Sequence, residues 1–167
     1  TVGGPQIRNR GTIGGNLGTA SPAGDALPPL LVYGAEVELA SVRGSRAVPL
    51  HTFLVGPKRN ALDPDELIVA VRLTAPGPRQ TFMKVGPRNA MVISVVSLAL
   101  LVEGGEARAS YGSAGPVAGL VVGAPDSGFA ERVAETASPI DDVRGTQRYR
   151  RHALRVLTQR ALERCLA

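Results

Sequence analysis

Alternation of apolar and polar residues is confined to short runs in the middle of the chain. Val37 and Leu39 alternate with Glu36 and Glu38, Arg43-Gly44-Ser45 supplies a turn, and Ala47-Val48 resumes, which predicts an antiparallel hairpin. Leu67, Val69, Val71 and Leu73 alternate again and predict a third strand. Further on, Met91 to Val102 and Ala107 to Ser113 flank Glu103-Gly104-Gly105-Glu106, a second hairpin signal. Helical periods are fewer. Asp25 is placed to cap a short helix with Pro28 and Pro29 in its first turn, ended by Gly34 after Leu30, Leu31 and Tyr33. Ala130 to Ala137 predicts a weak helix and Pro139 to Gly145 a polar loop. Thr146 to Leu166 predicts a strong helix with Tyr149, Ala153, Val156, Leu157 and Ala161 on one face, and with Arg150 and Arg151 off that stripe. Thr1 to Gly24, with glycine at positions 3, 4, 11, 14, 15, 18 and 24, has hardly any apolar period and reads as loop. Pro76-Gly77-Pro78 has the composition of a boundary. The expectation is therefore an α+β chain with domains at 1–76 and 79–167, the second an antiparallel sheet packed by the last helix.

Composition narrows the function classes. The chain has 167 residues, 44% hydrophobic and 20% charged, enough to bury a core, and its 20 Gly and 13 Pro argue against a long helical bundle. Cys165 is the single cysteine, which excludes an internal disulfide framework, an iron–sulfur cluster held within the chain and a four-cysteine zinc site; it reads as a small, half-buried hydrophobe. His51 and His152 lack partners at ligand or triad spacing, and no serine sits in a G-x-S-x-G elbow. The net charge of +5 comes from 17 Arg and 2 Lys, and Arg148, Arg150, Arg151, Arg155, Arg160 and Arg164 crowd the C-terminal helix. That distribution supports an alternative function, a basic nucleic-acid-binding module, although aromatic platforms for stacking are missing. Thr1-Val2-Gly3-Gly4 shows neither initiator Met nor secretory signal and predicts an internal start.

Candidate chemistry concentrates in Asn9-Arg10-Gly11-Thr12-Ile13-Gly14-Gly15-Asn16-Leu17-Gly18. Glycines without Cβ let consecutive N–H groups converge on an anion, and a diphosphate is a natural ligand. The segment is neither a Walker A loop nor G-x-G-x-x-G, and ordinary tight turns remain the competing reading. On the residues alone, Thr12 serves equally to bond its own turn, Asn16 to adopt a left-handed conformation, and Asp25 to cap the helix. Lys84 and Arg88 serve equally as solvated charges at a strand end.

Ile7 to Asn16, Ser21-Pro22-Ala23-Gly24-Asp25, Asp65-Glu66-Leu67-Ile68, Phe82-Met83-Lys84, Pro139 to Gly145 and Tyr149-Arg150-Arg151 together resemble the flavoprotein subunit of molybdenum hydroxylases, the xanthine dehydrogenase and carbon monoxide dehydrogenase family. The resemblance covers nearly the whole chain. It implies the second FAD-binding subdomain of that flavoprotein type, followed by its C-terminal antiparallel sheet packed with helices. It implies an electron-transfer role in an oxidoreductase, between an iron–sulfur small subunit and an external acceptor. The molybdenum cofactor and 2Fe-2S clusters would sit on partner subunits. Thr12, Ile13, Gly14, Gly15 and Asn16 would meet the FAD diphosphate, Asp25 the ribose hydroxyls, Leu67 and Ile68 the neighbourhood of the flavin ring, and Lys84 its edge. The family's first FAD subdomain, with its own glycine-rich loop, precedes the point where this chain begins, and Val117 to Thr136 reads as a reduced unit. The expectation is thus a cytoplasmic fragment, inactive alone and holding FAD weakly or not at all, or else an assembly fragment without catalysis.

Overall fold

The computed structural model describes residues 2–75 and 77–167. The glycine-rich N-terminal stretch, expected as loop, is largely helical. Pro5 opens α1 (Pro5–Arg10), where its missing N–H costs nothing, and α2 (Ile13–Thr19) follows. Each interior glycine disfavours a helix by about 1 kcal/mol, so α2 needs outside support. It has two sources: the Thr12 Oγ1 accepts the Gly15 N–H at 2.9 Å, and Leu17 is fully buried. α3 (Leu27–Val32) is the short helix foreseen after Asp25, with Pro28 and Pro29 in its first turn. Its N-cap is Ala26, because the Asp25 side chain turns elsewhere. Gly34, at φ +62°, and Ala35 donate their N–H groups to Leu31 O and Leu30 O and end it.

β1 (Glu36–Ser41) and β2 (Gly44–Pro49) form the expected hairpin, with Glu36 opposite Pro49 and Ser41 opposite Gly44. A short helix, α4 (Leu50–Phe53), and a small ribbon of β3 (Leu54–Gly56) with β4 (Arg59–Asn60) lead to β5 (Leu67–Arg72), which pairs with the free edge of β1. A period of two would put Leu67, Val69, Val71 and Leu73 on one face. The register breaks that pattern: Glu38 faces Ala70 and Leu39 faces Ile68, so Val69 is an extra, bulged residue. Ile68 and Val71 therefore join the core of Leu17, Leu30, Val37, Leu39 and Phe53, while Leu67 stays 72% exposed.

The second sheet is antiparallel in the order β6 (Gln80–Val85), β7 (Val96–Glu103), β8 (Glu106–Gly112), β9 (Gly119–Gly123). Gly104 and Gly105, both at positive φ, make the tight β7–β8 turn. β7 begins only at Val96, and every residue from there to Val102 is buried. Helices on both faces explain this. α5 (Phe129–Thr136) and α6 (Gln147–Leu166) cover Leu98, Leu100, Ala107 and Ala109, whereas Val32 of α3 packs on Ala99 and Leu101. Val117 to Thr136 thus holds a five-residue strand and an eight-residue helix. The boundary expected at Pro76 falls on a residue outside the described ones, as does Thr1.

The expected long helix is capped by Thr146, whose Oγ1 accepts the Tyr149 N–H, but its buried face is rotated. Arg150, Ala153, Leu154, Leu157, Thr158, Ala161, Leu162 and Cys165 are buried, whereas Tyr149 is half exposed. Arg150 is a correction to the pattern reading. Its side chain is 1% exposed, Nη1 donates to Val95 O and Ser113 O at 2.7 Å, and Nη2 donates to Asp142 Oδ1 at 2.5 Å. The guanidinium fork gathers the start of β7, the end of β8 and the 139–145 loop onto α6. Arg151, by contrast, is on the exposed side as expected.

Candidate functional site

Two clefts meet at Asn16. The first, about 430 Å³, is bounded by α1, the start of α2 and the start of α3, with Ile7, Thr12, Ile13, Asp25 and Phe82 on its walls. The second, about 900 Å³, lies between the 21–24 turn and the loops after β8 and α5, with Gly24, Lys58, Ile93, Ser113 and Arg144 on its walls. Of the residues singled out in the sequence, Thr12, Ile13, Asn16 and Asp25 line the first cleft, and Asn16 also lines the second.

Local structure gives each a defined state. As residues of the first helical turn, Ile13 and Gly14 have N–H groups with no intrahelical acceptor. A Cβ at Gly14 would meet open space, so no packing among the described residues calls for glycine there, whereas at Gly15 it would stand 3.1 Å from Thr12 Oγ1. Asn16 is wedged against Gly24, where a Cβ would come within 3.0 Å of Asn16 Oδ1. That oxygen is buried without a hydrogen-bond partner, and so is the Oγ of Ser113, a residue held at φ +60°. Buried polar atoms are normally satisfied; Ser97 and Ser110 of the second sheet also carry orphaned hydroxyls, but Asn16 stands where the two clefts meet and Ser113 lines the second.

Asp25 and Lys84 are brought together rather than spread along a ligand. The Lys84 Nζ donates to Asp25 Oδ2 at 2.5 Å with both side chains over nine-tenths buried, and Ser94 Oγ, fully buried, donates to Asp25 Oδ1 at 2.6 Å. This is why Asp25 does not cap α3. Leu67 and Ile68 line neither cleft: Leu67 points to solvent, and Ile68 packs inward toward Gly18 of α2. Their neighbours Asp65 and Glu66 are engaged by the hairpin. Arg43 pairs with Asp65, and Arg46 grips Glu66 with two bonds at 2.7 and 2.8 Å. Arg46 above all, with the Asp63 N–H, holds the Glu66 carboxyl at about 2. Beside the second cleft, Arg144 above all, with the charge of Arg150, holds Asp142 at about 2.

Sequence reasoning missed Ser94, Ser113 and the Arg150–Asp142 pair. Ser94 and Ser113 carry no local pattern, and they meet their partners across many residues of chain. Asp142 and Arg150 belong to the run of motifs from Pro139 to Arg151, which was a signal available in the sequence. Among the described residues, no group of His, Cys, Asp and Glu could hold a metal ion. Around Asn16 the walls thus combine the N–H groups of a helix start, an amide, a carboxylate and apolar side chains.

Comparison with known proteins gives the likeness of the whole chain. Residues 1–76 match the family model described as FAD binding domain in molybdopterin dehydrogenase. The whole chain is 29% identical to the xanthine dehydrogenase FAD-binding subunit of Escherichia coli O157:H7 and covers 64% of it. Over 98% of its length it is 31% identical to the glyceraldehyde dehydrogenase medium chain of Sulfolobus acidocaldarius, again covering 64%. Among solved structures, the CO dehydrogenase from Oligotropha carboxidovorans superposes with a TM-score of 0.85 at 26% identity, over 98% of this chain and 63% of that one. The α+β fold is therefore shared with a CO dehydrogenase chain. The chain spans less than two thirds of the length of these relatives.

Proposed function

We propose that the chain, whose residues 1–76 match the FAD binding domain in molybdopterin dehydrogenase, holds FAD within a multi-subunit molybdenum hydroxylase. In this reading an iron–sulfur small subunit and a large subunit carrying the molybdenum cofactor are its partners, and electrons leave through an external acceptor. In the same reading the assembly works in the cytoplasm. Among the described residues no helix is long and apolar enough to cross a membrane. Residues 1–76 act as the FAD-binding unit and 79–167 as a C-terminal unit that braces it through α3.

The observation that carries the reading is the junction of the two clefts at Asn16, with its orphaned amide oxygen. An extended dinucleotide needs such a junction, and the residues present fit it. The Ile13 and Gly14 N–H groups are aligned donors for a diphosphate, and the bare Gly14 lets it approach closely. The Thr12 hydroxyl accepts from Gly15 and keeps its own O–H to donate, and the Asn16 amide presents a donor or an acceptor by turning about its last bond. Asp25 accepts from ribose hydroxyls. Lys84 reaches the site through its ion pair with Asp25. FAD, when bound, supplies the electron exchange, and the protein supplies position and electrostatics.

Equilibrium titration of the chain with FAD up to about 1 mM tests this. Binding of micromolar strength or weaker is expected, since exposed Ile7, Ile13 and Ile93 leave the clefts open to solvent. Asn16→Ala and Asp25→Ala should each weaken it by roughly 1 to 3 kcal/mol. FAD affinity unchanged in both variants would refute the site.

A further inference from the structure

The partners of the Asp25 carboxylate come from residues distant in sequence. Lys84 stands on β6, and Ser94 lies just before β7. Each donates to a different oxygen of Asp25, at 2.5 and 2.6 Å, and Ser94 is 0% exposed. Asp25 itself lines the first cleft, whereas Ser94 lines neither. Two bonds, one on each oxygen, define the rotation of the carboxylate plane. An ionised carboxylate offers about four lone-pair directions, so two remain beyond those taken by Lys84 and Ser94, on a residue that lines the cleft. Without Ser94, the group would turn about its last bond while still held by Lys84.

We propose that Ser94 is a positioning residue: it locks the rotation of Asp25 so that the free lone pairs of that carboxylate meet vicinal hydroxyls of a bound nucleotide. The inference rests on the reading of the site as an FAD site and goes beyond it by assigning a residue that touches no ligand. A carboxylate fixed before binding loses less freedom on binding, and that difference is the contribution of Ser94. Lys84 shares the task, but as a charged residue near the ligand it is a poorer probe.

The test is a double-mutant cycle read by FAD titration of the full chain, with thermal unfolding of each variant measured without FAD. Wild type and Asp25→Asn report whether Asp25 serves the site at all. Ser94→Ala is expected to raise the Kd for FAD about tenfold in the wild-type background and less than about twofold in the Asp25→Asn background. An equal loss in both backgrounds would show that Ser94 acts on the fold in general, and no loss in wild type would show that Asp25 needs no lock; either overturns the proposal. If wild type itself binds no FAD up to about 1 mM, the FAD reading falls and the role of Ser94 falls with it. If Asp25→Asn binds as wild type does, the FAD reading survives without Asp25, and the positioning role of Ser94 is overturned.

Discussion

Replacing Arg150 by alanine should be among the most damaging single changes outside the apolar core. The side chain is 1% exposed and donates to Val95 O, Ser113 O and Asp142 Oδ1 at 2.5 to 2.7 Å, with a longer contact to Gly145 O. Alanine would leave two buried carbonyls without this donor and loosen the 139–145 loop, which would keep its tie to α6 through Asp141 and Gln147. A buried acceptor stripped of its partner costs about 1 to 3 kcal/mol, and breaking a buried ion pair from one side costs about 3 to 5 kcal/mol. These penalties overlap, because a loosened loop admits water, so about 3 to 5 kcal/mol is the working figure. Against a typical total of about 5 to 15 kcal/mol this is severe. For a chain of this size it lowers Tm by roughly 6 to 20 °C. Arg151→Ala is the control, with one 3.3 Å bond to Ala137 O from an exposed side chain, and should move Tm by no more than about 4 °C. Arg150→Lys should fall between them, since an ammonium lacks the planar fork that spans three acceptors. Calorimetry and urea unfolding followed by circular dichroism measure all three. If Arg150→Ala melts within about 2 °C of Arg151→Ala, the guanidinium is not the tie described here.

Acid should weaken the fold through Glu66 and Asp142. Both carboxyls are held at about 2 in the folded chain, below their ordinary values, so their contribution is present above about pH 4.5 and is lost as pH falls toward 2. In an NMR titration the Glu66 midpoint should lie near 2 and move up toward the ordinary carboxylate range in Arg46→Gln; a Glu66 midpoint near 4.5 in wild type would contradict the Arg46 grip. Adjacent residues of β5 should respond very differently to truncation. Leu67→Ala should change stability by less than about 0.5 kcal/mol, whereas Ile68→Ala should cost about 2 kcal/mol, as read by urea unfolding. The reverse order would mean that the bulge at Val69 is misplaced.

Much of the fold is legible locally because it is decided locally. The hairpin of β1 and β2, the Gly104-Gly105 turn, the stop at Gly34 and the cap at Thr146 each depend on a few adjacent residues whose backbone preferences leave little choice. The motif residues Thr12, Ile13, Asn16 and Asp25 were likewise legible as a group, and they do line one cleft. Other features were decided only when distant parts met. The glycine-rich α2 is helical because burying Leu17 under β4 and β5 outweighs its poor propensity, and no local pattern reports that burial. The inward face of β5 is set by a bulge opposite Glu38 and Leu39, so strict alternation named the wrong residues. The buried face of α6 includes a charged residue, and a hydrophobic stripe cannot reveal it, because Arg150 is admitted by carbonyls of Val95 and Ser113 and by Asp142. Asp25, Lys84 and Ser94 form one cluster from residues far apart in sequence. Short-range backbone preferences act between neighbours in sequence, whereas the desolvation of a charge is set by whatever the fold brings around it, and that becomes known only in three dimensions.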